Sequence, residues 1–435
     1  MNQTAGTTEE ATGHSMNMWS VAAMGVGAMV GAGIFALLGV VALVAGGETY
    51  ISFLLGGVVA ALSGYTYAKL AAHYPKAGGL TEYFHEAFGT GTTSGTLSLT
   101  YLITTAATIA MVAKAFGSYA TALAFGGKDP LMIDIFASAI TIVMVLLNIA
   151  GSALVGKAEV ALVGIKLTIL AVLLAAGAYG MTSHAAVPHV TPHVLTLVGS
   201  VGLTFFAYAG FGMMTNASGS VRDPERTIPR AIYLALTVVI LLYAALAVIV
   251  LGSVSMADLK QHADTAVAVA ARPVLGQAGY VVVSIAALLA TASGINAWVF
   301  TAMDISQSMV KVGNLPGMFA HFVWRKGSLG LLIGVGTILL AINFFDLTAL
   351  ARVASATFLF SYLAVQLAHW HLIGETKGSR LLVGVGTLFM AGVLGCFLWS
   401  TFLAQPWALA AVVGFLACSW LIEFFLARAK SDKTV

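Results

Sequence analysis

The sequence predicts an all-α integral membrane protein with 12 transmembrane helices, and three observations carry that prediction. First, 59% of the 435 residues are hydrophobic and 9% are charged, where soluble domains carry about 25% charge. That composition cannot supply a polar skin, so lipid must cover most of the surface. Second, runs of roughly 20 mostly apolar residues, the length a span requires, recur twelve times. Third, the cations gather in alternate connections, as cytoplasmic loops require. Soluble enzymes, nucleic-acid binders and secreted scaffolds are excluded. The net charge of +3 implies no polyanionic partner.

The runs lie at 18–43, 50–72, 94–125, 132–150, 156–179, 195–218, 229–252, 274–310, 328–345, 348–372, 380–402 and 406–427. The third and eighth exceed the bilayer thickness, so they tilt or project into water. Residues 74–93, with Pro75, Gly78 and Gly79, predict a re-entrant or interfacial helix. Residues 255–272 open on an N-cap-like Ser255 and predict a short outer helix. With the N-terminus placed in the cytoplasm, fourteen cations fall inside: Lys69, Lys76, Lys157, Arg222, Arg226, Arg230, Lys311, Arg325, Lys326, Lys377, Arg380, Arg428, Lys430 and Lys433. Four fall outside: Lys128, Lys260, Arg272 and Arg352. Both termini are therefore expected in the cytoplasm, as tails 1–17 and 428–435. The first tail lacks the basic start of a signal peptide, and its apolar run is too long for one. Cys396 and Cys418 sit in apolar runs and read as packing residues, with no disulfide or metal role.

Two runs carry glycine where a membrane helix should be continuous. The first reads GVGAMVGAGIF from Gly25 to Phe35, and the sixth reads FFAYAGFGMMTNASG from Phe205 to Gly219. Glycine weakens a helix interior by about 1 kcal/mol relative to alanine. One reading is close helix packing; the other is an unwound segment lining a cavity. Paired glycine-interrupted spans in corresponding positions of two halves point to a transporter site. The offset of five spans gives the halves opposite topology. A broken helix exposes N–H groups at one end and carbonyls at the other. An amino-acid zwitterion has a carboxylate for the first and an ammonium for the second. Neither break contains a charged side chain.

GAMVGAGIF resembles the first-helix signature of the amino acid–polyamine–organocation (APC) superfamily. Residues 210–232, GFGMMTNASGSVRDPERTIPRAI, resemble that family's sixth helix and following loop. AKAFGSYA, residues 113–120, and the region of Lys166 resemble its ApcT-type proton-coupled amino-acid permeases. The likeness covers most of residues 18–372 and is weak in the last two runs. It implies a LeuT-type fold: an inverted pair of five-helix repeats, 18–179 and 195–372, with helices 1 and 6 discontinuous and two additional helices over 380–427. It also implies the site. The amides of Ala32, Gly33 and Ile34 would hold the substrate carboxylate. The carbonyls of Met29, Phe206 and Ala209, beside Gly210, would hold its ammonium. Trp298 would wall the side-chain pocket, with Phe206, Tyr208 and Tyr101 nearby. No cofactor is implied beyond the coupled proton. Two departures stand out. Many relatives have Glu at the position of Gly212, which puts an acidic gate there in doubt. Many have Arg at the position of Asp304, read here as a structural contact.

Lys166 lies about ten residues from either end of its run, some 15 Å deep. Ionisable groups at such depth face the protein interior and mark ion or proton pathways. Desolvation favours the neutral amine, which makes Lys166 a candidate proton carrier; a permanently charged structural lysine is the alternative. In the LeuT-type fold a sodium ion ties the first helix to the eighth. The resemblance puts the Lys166 ammonium in its place, among the carbonyls of Gly27 and Val30 and the hydroxyls of Thr291 and Ser293. Lys114, nearer the outer end of its run, is expected to reach the interface. The mixed charges of residues 220–230 read as a solvated connection or an inner gate.

The function expected is proton-coupled import of amino acids by alternating access. Small or neutral L-amino acids fit best, because the side-chain pocket has no formal charge. A sodium-independent exchanger of amino acids or polyamines with the same fold is the alternative. The histidines form no convergent set for an enzyme, no span shows the continuous polar stripe of a channel, and no P-loop supports a pump. The expected setting is the cell's inner membrane, with lipid and an amino-acid substrate as partners and no obligatory protein partner.

Overall fold

The computed structural model describes residues 16–75, 79–150, 153–180, 194–221, 223–319, 322–324 and 327–431. The first 15 residues, the loop histidines His184, His189 and His193, and the cations Lys76, Arg222, Arg325, Lys326 and Lys433 lie outside the described residues. The chain is built almost wholly of helices: α1 (Met18–Ala32), α2 (Ile34–Ala45), α3 (Thr49–His73), α4 (Leu80–Phe88), α5 (Thr92–Phe125), α6 (Pro130–Ala150), α7 (Ala153–Gly180), α8 (Val194–Tyr208), α9 (Pro224–Ser253), α10 (Met256–His262), α11 (Ala266–Val312), α12 (Leu329–Phe344), α13 (Leu347–His371), α14 (Ile373–Thr376), α15 (Arg380–Ala404) and α16 (Pro406–Ser431). A 3₁₀ helix, Ala209–Ser220, continues α8, and a two-strand ribbon pairs Phe322–Trp324 with Gly327–Ser328. Among the described residues, 10 helical stretches are long and apolar enough to cross a membrane; Met18–Gly31 and Leu329–Phe344 are apolar but shorter. The protein is a multi-pass membrane protein.

Each predicted apolar run falls on helix. Within residues 74–93, expected to hold a re-entrant or interfacial helix, the helix that forms is α4, whose buried face is Leu80, Thr81, Tyr83 and Phe84. The expected outer helix begins as α10, where Ser255 accepts the Asp258 amide as an N-cap. It then runs through a short 3₁₀ turn into α11. The excess length of α11 has a local cause: Gly276 takes φ 69° and ψ −165° inside it, which glycine tolerates and other residues rarely do. α11 is thus a kinked pair of segments, and nearly all of the eighth run lies beyond the kink.

Burial separates centre from rim. Of its most apolar window, α13 buries 83%, while α16 buries 17% and α6 buries 22%. The inner partners pack in pairs: α3 on α9, α5 on α11, and α13 against α5. Rim helices keep one stripe for the bundle and give the rest to lipid. In α7 that stripe is Val163, Lys166, Leu170 and Leu173, spaced three or four apart.

Two expectations about cations are corrected. Lys114 does not reach the interface: it is 8% exposed and pairs with Asp134 of α6. A carboxylate one helix away satisfies it better than a stretched path to water. Arg352, placed by sequence in an outer connection, lies within α13 and is 6% exposed.

Candidate functional site

The first break is one residue wide. α1 runs through Gly25, Gly27 and Gly31 and ends at Ala32; Gly33 takes φ −91° and ψ −83°, and α2 starts at Ile34. Gly25 and Gly31 serve packing. A Cβ on Gly31 would stand 2.7 Å from the Ala290 carbonyl and 3.1 Å from the Gly294 Cα, so this is where α1 presses on α11. At Gly33 a Cβ would meet the Ala207 carbonyl and the Tyr243 hydroxyl at 2.6 Å and the Met29 carbonyl at 2.7 Å. Gly33 thus sits where α1, α8 and α9 converge.

The second break changes the winding. α8 ends at Tyr208, and the chain continues as a 12-residue 3₁₀ helix from Ala209. Such helices rarely exceed 3–4 residues, because their hydrogen bonds are poorer. Going from i−4 to i−3 pairing leaves carbonyl capacity unused near the junction. Two tyrosines take it up. The Tyr243 hydroxyl donates to the Ala207 carbonyl at 3.4 Å, and the Tyr362 hydroxyl to the Ala209 carbonyl at 2.5 Å. The two breaks touch: a Cβ on Gly210 would come within 2.7 Å of the Met29 amide nitrogen.

The residues singled out from the sequence meet here with partners already in place. The Gly33 amide donates to the Met29 carbonyl at 2.8 Å, so those two satisfy each other. Ala32 closes α1. The Ile34 amide opens α2, whose N-terminus has no side-chain cap; the Tyr243 hydroxyl lies against it. Phe206 is 2% exposed, and its ring packs edge-on against Phe358 at 5.1 Å. Trp298 and Tyr101 meet the same ring at 5.4 Å and 5.9 Å. Tyr208 turns elsewhere: its hydroxyl donates to the Phe53 carbonyl at 2.9 Å, and its ring leans on Tyr243.

Phe358 and Tyr362 were missed by sequence reasoning. They lie four residues apart on one face of α13. Phe358 is the ring on which Tyr101, Phe206 and Trp298 converge, and Tyr362 stacks on Tyr67 at 4.7 Å. The only sequence signal was an aromatic-rich stretch, FLFSY, in a run already full of aromatics. The departure at Gly212 also has a local cause. The Tyr362 hydroxyl and a Tyr67 ring carbon at 3.3 Å crowd the place a side chain would occupy.

Lys166 is 1% exposed, and its ammonium donates to the Ser293 hydroxyl at 3.1 Å. Ser293 precedes Gly294, which faces Gly31, so the amine sits beside the seam of α1 and α11. Thr291, named with it, returns its hydroxyl to the Ala287 carbonyl of its own helix at 2.7 Å. Gly27 and Val30 lie four residues and one residue before Gly31 on α1.

At the far end of α3, the Tyr74 hydroxyl donates to Glu375 at 2.5 Å; burial and that carboxylate hold the phenol above its usual range. Met16 donates its amide to the Ser220 carbonyl at 3.2 Å, tying the start of the described chain to the end of the 3₁₀ helix. A cavity of about 380 Å³ lies away from the breaks, between α5, α11, α12, α13 and α16. Its walls include Leu99, Met303, Leu331 and Phe415 and no charged residue, so nothing in it suits a zwitterion.

The amino acid permease family profile matches residues 16–427. Inner membrane transport protein YbaT of Escherichia coli is 43% identical over 417 residues, 96% of this chain and 97% of that protein. Cationic amino acid transporter 4 of Arabidopsis thaliana, described as vacuolar, is 26% identical over 79% of this chain and 60% of its own length. The methylthioribose transporter of Bacillus subtilis is 25% identical over 70% of this chain and 69% of its own.

Proposed function

We propose that this chain, which belongs to the amino acid permease family and is a membrane transporter rather than an enzyme, imports α-amino acids by proton-coupled alternating access. The observation that carries the reading is the contact of the two helix breaks. At one point the chain presents the start of α2 as a donor end and the junction of α8 with its 3₁₀ continuation as an acceptor end. A carboxylate and an ammonium on one carbon match that pair, and no charged side chain is needed.

On this reading the chain forms 12 spans as two inverted five-helix repeats, 18–179 and 195–372, with 380–427 appended. Both termini lie in the cytoplasm, and the setting is the cell's inner membrane. Lys166 carries the proton. Its ammonium on Ser293 holds α7 and α11 together beside α1, and loss of the proton loosens that tie. Small or neutral L-amino acids fit best, since Phe358, Trp298, Phe206 and Tyr101 surround the site with apolar surface. A second reading, a non-amino-acid substrate, is favoured by the name of the Bacillus relative.

The test is a thermal-unfolding screen of the purified protein against the twenty amino acids, polyamines, methylthioribose and sodium. Stabilisation by one amino-acid class, indifferent to sodium, is expected. Stabilisation by methylthioribose, polyamines or sodium alone rejects the reading. In proteoliposomes, Lys166→Met is expected to abolish uptake driven by a pH gradient. Undiminished dependence on the gradient would remove Lys166 from the mechanism.

A further inference from the structure

Arg352 is used by nothing described so far. It sits in the second turn of α13, 6% exposed, and its Nε has no hydrogen-bond partner among the described residues. The acid nearest in sequence, Asp346, is committed to capping α13, accepting the Ala349 amide at 2.7 Å. Asp264 is paired with Lys128 at 2.7 Å, and Asp134 with Lys114. Leaving a guanidinium buried without a counter-charge is costly, and proteins normally supply a partner.

One turn further along the same face lies Ser355, fully buried, and its hydroxyl also lacks a partner among the described residues. The other buried serine and threonine of α13 return their hydroxyls to the carbonyl four residues back, Thr357 to Val353 and Ser361 to Thr357. Ser355 departs from that habit next to the one buried cation of α13. A guanidinium and a free hydroxyl one turn apart on one helix face form a donor pair with no acceptor among the described residues, and the chemistry they select is a small anion.

We propose that Arg352 and Ser355 form a seat for a small monovalent anion, carboxylate or halide, between the Leu347 end of α13 and the aromatic cluster around Phe358. The planar guanidinium suits two oxygens of a carboxylate, and the serine hydroxyl supplies a third donor. The seat is separate from the helix breaks: Phe358 is six residues further along α13, about 9 Å along its axis. The anion arrives either as a free ion or as the carboxylate of an organic acid.

The experiment is thermal unfolding of the purified protein in Tris–HEPES buffer free of chloride and carboxylate, titrated with chloride or with acetate as the simplest carboxylate. Either probe at millimolar concentration is expected to raise the midpoint of the parent by several degrees. Arg352→Gln is expected to abolish that rise, and Ser355→Ala to weaken the apparent affinity severalfold. Acetate acting well below the chloride concentration identifies a carboxylate seat; equal potency or chloride preference identifies a halide seat. If Arg352→Gln does not yield folded protein, Arg352→Lys and Ser355→Ala carry the test. Lysine keeps the charge but loses the two-pronged geometry, so acetate should weaken more than chloride. A parent indifferent to both anions, or variants that respond as the parent does, would overturn the proposal.

Discussion

The two helix breaks are made by different means. The first is steric: one glycine, with no left-handed φ, is required because three neighbouring groups leave no room for a Cβ. The second is a change of winding spread over the 12 residues from Ala209. They also differ in what they leave open. α2 begins with no side-chain cap on its amides, and the Tyr243 hydroxyl lies against the first of them. At the acceptor end, Tyr362 already holds the Ala209 carbonyl closely. On the proposed function this asymmetry sets an order. The carboxylate meets donors that are nearly free, whereas the ammonium must displace a tyrosine hydroxyl.

The largest effect that can break this comparison is expected at Gly33. Gly33→Ala puts a methyl within 2.6 Å of the Ala207 carbonyl and the Tyr243 hydroxyl, and neither backbone nor a buried tyrosine yields easily. Transport should be lost, with stability falling by about 1–3 kcal/mol from overpacking. Gly25→Ala is the matched control. There the methyl meets the end of the flexible Met214 side chain, which can move aside. Uptake and thermal unfolding of both variants decide the matter. Equal tolerance at the two positions would make the first break a general small-residue packing site and remove the contrast.

What could be read from the sequence follows the same division. The apolar runs, the short helix α4 and the capped helix α10 were legible because each rests on local composition or a local cap. The meeting of the breaks was legible as a pair of glycine clusters, but not which glycine breaks the helix. Gly25, Gly31 and Gly33 look alike in sequence and differ only in what stands opposite each: a methionine side chain, the backbone of α11, and the convergence of α8 and α9. Lys166 was legible because a lone charge so deep has few explanations. Its partner Ser293 came from resemblance. Phe358, Tyr362 and Tyr243 were not legible, since an aromatic residue in an apolar helix gives no sign of which ring or carbonyl it will meet. Arg352 was misplaced because it was counted with the outer cations although the tenth run, 348–372, already contains it; it lies in the second turn of α13.

A smaller effect, on the acceptor side, comes from Tyr362→Phe. The ring and its stack on Tyr67 remain, but the buried Ala209 carbonyl loses its donor. An unsatisfied buried carbonyl costs about 1–3 kcal/mol, so thermal unfolding should show a destabilised apoprotein. If the substrate ammonium takes that carbonyl, the variant should also gain more stabilisation from its best amino acid than the parent does. Destabilisation without that extra gain would mean that the carbonyl is structural and that the ammonium is held elsewhere, with the Phe206 carbonyl the next to test.

The smallest effect is expected at Tyr243, and it separates the two ends most finely. Its bond to the Ala207 carbonyl is long, 3.4 Å, and bonds of that length contribute little. Tyr243→Phe should therefore cost about 1 kcal/mol, most of it from the buried Ile34 amide that loses its hydroxyl neighbour. Its effect on binding is the informative one. The hydroxyl lies against the Ile34 amide, where a carboxylate is proposed to bind, so in the parent the two compete for one donor. Removing the hydroxyl should lower KM severalfold at unchanged maximal rate, because uniform binding improves without touching the conformational step. A rise in KM would instead make the Tyr243 hydroxyl itself a carboxylate donor, bridging both breaks. An unchanged KM would separate the start of α2 from the substrate and leave the first break a hinge, with all recognition assigned to the junction at Ala209.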